Sequence, residues 1–174
     1  MRLDARVHSV AEPIGANVNK LRHLTREEIS AMSMSTNLYV KKSGRIEYPD
    51  YIEHPVMLLS EKLKKIMSKY QKDAIFKTVI LIDKDLKRQK IYYLISAPCI
   101  DCAAEETTYD ARGNVKELVI DQEKVGHARI FFAEKNGQRL LVRLDVAESI
   151  LRRDANGVWF ERVRVTAKER GADK

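Results

Sequence analysis

Cys99 and Cys102 stand in a C-x-x-C spacing, which serves redox dithiols and forms half of a zinc site. A redox pair needs its first sulfur at a helix N-terminus, where the thiol pKa is lowered, and Ala103 to Tyr109 makes a poor amphipathic helix. Zinc needs two more ligands, and the only histidines, His8, His23, His54 and His127, show no H-x-x-x-H spacing. The plainer reading is two ordinary thiols at a strand end, with no metal and no cofactor.

Asp101, Glu105, Glu106 and Asp110 form an acidic cluster with the composition of a hard-cation site or an acid/base pair. The order of a calcium loop is missing, so a solvated acidic loop is expected, with protein contact as its functional alternative. Lys62, Lys64, Lys65, Lys69, Lys72 and Lys77, with Tyr70 and Phe76 among them, could follow a phosphate backbone. The same lysines also suit the polar side of an amphipathic helix. A nucleic-acid-binding domain using the Lys62 to Lys77 face is therefore kept as the alternative function. Arg152, Arg153 and Trp159 are residue types that dominate protein interfaces. Their plainer roles are helix-dipole compensation for the arginines and core packing for the indole. The candidate partner-binding set is Arg152, Arg153, Trp159, Asp101, Glu105 and Glu106.

No nucleophile elbow, phosphate loop, dinucleotide fingerprint or H-E-x-x-H occurs, and an enzyme is not expected. The 174 residues are 44% hydrophobic and 33% charged, which suits one soluble domain. The net charge of +7 is unevenly spread: residues 60–90 hold ten Lys and Arg against four Asp and Glu, whereas 91–125 hold three against seven. No stretch has the length of a membrane span, the first residues lack a secretory h-region, and two cysteines give no disulfide framework. A cytoplasmic protein is expected.

These residues must be positioned by short elements. Thr25 and Glu28 make a capping box before a helix from about Arg26 to Met34. Ser60 caps a helix to Tyr70, in which Leu59, Leu63, Ile66, Met67 and Tyr70 recur at helical spacing. Leu38 to Lys42 is a strand with its turn at Ser43-Gly44. Ile75 to Ile82 and Lys90 to Ile95 are apolar runs that should pair as a hairpin across a charged loop. Two more hairpins follow, one across Arg112-Gly113-Asn114 and one across Lys135-Asn136-Gly137. Asp145 and Glu148 suggest a capped helix, Arg152 and Arg153 its last turn, Gly157 its left-handed stop, and Val158 to Val165 the last strand. The fold class is α+β, a mainly antiparallel sheet of hairpins with two or three short amphipathic helices. The expected organisation is an N-terminal arm with a short helix over 1–36, a single domain over 37–166 and a polar tail over 167–174.

From about His54 to Val165 the landmarks resemble the immunity-protein-eleven-like family of bacterial polymorphic toxin systems. They are Pro55-Val56-Met57-Leu58-Leu59-Ser60-Glu61-Lys62-Leu63, Tyr92-Tyr93-Leu94-Ile95 into Pro98, Ile100-Asp101-Cys102, Ile130-Phe131-Phe132, and Glu148 to Arg153 through Gly157-Val158-Trp159-Phe160. The resemblance implies a single α+β domain, without catalytic residues or cofactor, that neutralises a cognate toxin by direct binding. It also implies that Cys99 is incidental. The positive net charge disfavours a basic nuclease as the partner, unless residues 91–125 make the contact.

Overall fold

The apolar runs of the central hairpin set the architecture, because strands of that length need partners on both edges. In the computed structural model, which describes residues 1–22, 24–42, 44–134 and 139–166, the first half runs β1 (Arg2–Leu3), β2 (Pro13–Ile14), α1 (Ala16–Arg22), α2 (Arg26–Ala31), β3 (Ser35–Val40), β4 (Tyr51–Ile52), β5 (Leu58–Ser60), α3 (Glu61–Tyr70), β6 (Ile75–Asp83) and β7 (Arg88–Ser96). The second half runs β8 (Cys99–Ile100), β9 (Thr108–Tyr109), β10 (Val115–Glu117), β11 (Val119–Ile120), α4 (Gln122–Val125), β12 (Ile130–Ala133), β13 (Leu140–Val142), α5 (Leu144–Leu151), β14 (Val158–Trp159) and β15 (Arg164–Val165). This is the expected α+β class with mainly antiparallel pairing. Among the described strands, only β3 with β6, β8 with β12 and β11 with β15 run parallel.

The main sheet has six strands in the order β2-β3-β6-β7-β5-β4. Residues paired across strands share a face, so the register sorts the side chains. One face carries Leu38, Val79, Leu81, Tyr92 and Leu94, which pack with Leu58, Ile52 and the helix residues Val18, Leu21 and Ile29. The other carries Tyr51, Leu59, Phe76 and Ile95, covered by Leu63, Ile66 and Met67 of α3. Ile130, Leu140, Val146, Ile150 and Val158 join this second core and tie α5 to it. A third, smaller core of Cys102, Leu118, Phe131, Ala133 and Leu141 lies with the three-stranded sheet β13-β12-β8.

The Thr25 capping box forms as expected: the Glu28 amide donates to the Thr25 hydroxyl and the Thr25 amide to the Glu28 carboxylate. Ser60 caps α3 by accepting from the Leu63 amide at 3.3 Å. The central hairpin and those joining β9 to β10 and β12 to β13 also form. Residues 135–138, which contain the expected Asn136-Gly137 turn, lie outside the described residues, as do Ser43, His23 and the 167–174 tail.

Several local expectations change. Ala16 to Arg22 is a second helix within the expected N-terminal arm, beside the one capped by Thr25. Asp145 is not the cap of α5, which begins after Arg143, without a side-chain cap bond. Asp145 sits inside the first turn instead, still favourable to the dipole, with Arg129 and Arg143 beside it. The left-handed residue after α5 is Asp154, at φ +47°, and Gly157, at φ +72°, serves the next turn, where an added Cβ would overlap the Pro49 Cβ. The strand expected from Val158 to Val165 is broken into β14, paired with β1, and β15, paired with β11. The first 36 residues contribute Met1, Ala11, Val18, Leu21 and Ile29 to the two larger cores.

Candidate functional site

The thiols sit where catalysis by them has little support. Cys102 is buried in the third core, Cys99 is exposed on β8, and both are free. Burial pushes both thiols up, the reverse of the lowering that a nucleophilic or metal-binding thiolate requires. Among the described residues no three His, Cys, Asp or Glu side chains gather as metal ligands. Asp101, Glu105, Glu106 and Asp110 are all exposed. Asp110 also holds a turn, accepting from the Arg112 and Asn114 amides at 2.8 Å, and the Asn114 side chain and backbone hold its carboxyl below the usual range.

The lysines of 62–77 do not share one surface. Lys62 bridges to Asp50 at 3.3 Å and Lys65 to Glu61 at 2.9 Å, both on α3. Lys77 points from the other side of the sheet and donates to the Met32 carbonyl at 3.1 Å. A continuous phosphate track along this segment is therefore not formed.

Arg152, Arg153 and Trp159 fall at and beyond the end of α5. Arg153 donates to the Ser149 carbonyl at 2.8 Å and to its hydroxyl at 2.7 Å, closing the last turn. Arg152 is more exposed, 3.5 Å from Glu148 one turn back. Core packing was the plain expectation for the indole, yet Trp159 is 54% exposed. Its strand is a two-residue ribbon with β1, which covers one edge and leaves the ring in solvent. The acidic residues belong to a different element group, the loop after β8.

The largest feature missed from the sequence is on the main sheet. The face packed by α3 continues beyond it along the register rows Ile14–Tyr39–Ile82 and Asn37–Ile80–Ile91. There Ile14 is 40%, Tyr39 43% and Ile91 56% exposed, while Ile80 and Ile82 are half-buried. Two lysines lie on aromatic rings of this face, Lys84 over Tyr39 at 4.2 Å and Lys64 over Tyr93 at 4.3 Å. A signal was present: continuous apolar strands imply cover on both faces, and the described helices cover only part of one.

The other cluster of titratable groups, Tyr48, Asp83 and Arg88, has a structural task. The Tyr48 hydroxyl donates to Asp83 at 2.7 Å, the Leu86 amide donates at 2.9 Å, and Arg88 stacks on the Tyr48 ring, which closes the β6–β7 turn.

A mixed α+β protein whose conspicuous exposed groups are apolar, aromatic and basic has the makings of a binding protein. The chain belongs to the immunity protein family (Imm11), which matches residues 15–165. That span extends the resemblance seen from His54 back through α1, α2 and β3. No curated protein matches the chain. The family suggests an immunity protein with an inhibitor's role rather than an enzyme's, and hence a protein partner in general. Among the described residues no helix is long and apolar enough to cross a membrane.

Proposed function

We propose that this chain is the immunity protein of a bacterial polymorphic toxin system, and that it neutralises a cognate toxin in the cytoplasm by binding it directly. The observation that carries this reading is the family match over residues 15–165. Direct occlusion is further supported by exposed Tyr39, Ile91 and Trp159, groups that recognise protein surfaces by burial. The raised thiols and the dispersed lysines support neither redox chemistry nor nucleic-acid binding as the means of protection. The exposed Arg152 and Trp159, and the acidic Asp101, Glu105 and Glu106, offer two surfaces for contact. Arg153, held by Ser149, is expected to act through the helix end.

Co-expression with the toxin encoded beside this chain's gene tests the reading. Cells should survive, and the two purified chains should co-elute on gel filtration. Unchanged killing with no complex would sink the proposal.

A further inference from the structure

We propose that the open part of the main sheet, centred on Ile80 and Ile91 and bounded by Tyr39, Ile82 and Ile14, is the docking surface for the toxin, and that the toxin presents there an apolar centre with an acidic rim. The proposal rests on the reading that the chain binds its toxin directly.

Antiparallel sheets commonly leave one face to water, and the outward positions are then polar, in alternation with the core. Here the pairing places Ile80 beside Ile91 and Ile82 beside Tyr39, with Ile14 following Tyr39 at the edge. All five point away from the core of Val79, Leu81 and Tyr92, because neighbours along a strand face opposite ways. Strand propensity at a water-facing position is met by Thr as well as by Ile, so it does not by itself explain Ile80, Ile82 and Ile91 gathered on one face. Contiguous apolar surface of this kind marks an interaction site more often than scattered exposed residues do. The patch is also rigid, since it spans four adjacent hydrogen-bonded strands, so little ordering entropy opposes docking.

Charge selects the occupant. Lys64 and Lys84 lie on the rings of Tyr93 and Tyr39, with no carboxylate in ion-pair range among the described residues. The carboxylates of neighbouring segments already have partners: Asp85 has Lys42, Glu61 has Lys65 and Glu12 has Lys41. The rim is therefore net positive around an apolar middle, in the segment where ten basic residues face four acidic ones. A surface of this pattern attracts acidic groups at the edge and buries apolar groups at the centre. It repels a basic nuclease surface.

The test uses the full chain and the toxin domain encoded beside its gene, with binding followed by interferometry and fold by circular dichroism and thermal melting. Ile91→Glu should weaken the complex at least about thirtyfold, as loss of a central anchor does. Ile91→Thr keeps β-branching, guards against misfolding of the first variant, and should cost about tenfold. Lys64→Glu with Lys84→Glu should slow association about tenfold and flatten its salt dependence. Leu144→Ala, at a position of α5 that is 74% exposed and off the sheet, should stay within about threefold of the parent, a difference below 1 kcal/mol. Folded face variants that bind like the parent would overturn the assignment of the surface and leave direct binding standing. A parent chain that protects cells without forming a complex would overturn direct binding itself, and this surface with it. A parent that is dimeric alone and becomes monomeric on Ile91→Thr would give the face to a second copy and overturn the proposal.

Discussion

Two buried tyrosines show how differently one residue type can be used. Tyr92 lies in the core under α1 and α2, and its hydroxyl donates to the Pro49 carbonyl at 2.7 Å. Tyr51 lies fully buried in the core under α3, and its hydroxyl has no hydrogen-bond partner among the described residues. Burial raises the pKa of both phenols, so both are neutral at neutral pH. An unmade buried hydrogen bond costs more than a made one contributes. Tyr92→Phe should therefore destabilise by about 1–2 kcal/mol, since it leaves the Pro49 carbonyl orphaned. Tyr51→Phe should be neutral or stabilising by up to about 1 kcal/mol. Urea denaturation of the two variants checks the contrast, and equal losses would show that Tyr51 has a partner after all. The sequence marks neither difference, because only the fold decides what meets the oxygen.

At the scale of elements, the best-read parts were those whose signal is local. Thr25 with Glu28, Ser60 with the Leu63 spacing, and the β6–β7 hairpin each declare themselves within about ten residues, and each formed. What could not be read depends on distant partners. The helix α1 contains two Asn residues, poor helix formers, and buries only Val18 and Leu21, so the tertiary contact and not the propensity stabilises it. The parallel pairing of β3 with β6 joins residues some 40 apart, with no turn between them to announce it. The unbroken apolar run Val79 to Ile82 disguises its own outward half, so the open sheet face does not declare itself in the sequence as Trp159 and Arg152 do by type.

Asp50 is the junction that these signals did not show. Its carboxylate accepts from Ser60 Oγ at 2.5 Å and from the Asn156 amide at 2.7 Å, with Lys62 3.3 Å away. It therefore ties the start of α3 to the turn after α5. Ser60→Ala removes the helix cap and one of these bonds and should cost about 1 kcal/mol. Asp50→Ala orphans the Ser60 hydroxyl and the Asn156 amide and should cost about 2 kcal/mol. Because the two residues share a bond, the double variant should lose less than the sum of the singles by about 0.5 kcal/mol or more. Strict additivity in chemical denaturation would show that cap and junction act independently.

For the molecule as a whole, the decisive matter is whether the first residues are an appendage or part of the fold. The family match begins at residue 15, and the sequence alone suggested an arm. Yet Met1 is buried with Leu63, Ile66 and Ile150 in the core under α3, and Leu3 packs against it. Arg2–Leu3 pairs with Val158–Trp159, and the Leu3 amide donates to Glu53 at 2.9 Å. Further on, Ala11 is buried in the opposite core, with its amide donating to the Glu47 carbonyl at 2.9 Å. One segment of eleven residues thus reaches the cores on both sides of the main sheet. Deleting residues 1–10 should remove a buried Met side chain, leave a cavity beside Ile150 and unpair β14, for a loss of at least about 3 kcal/mol. The measurement is the urea midpoint of the shortened chain against the full one, with the slope compared as well. An appendage would leave the midpoint unchanged. A lower midpoint at unchanged slope would show that the segment stabilises the whole cooperative unit, including the sheet face on which the toxin is proposed to dock.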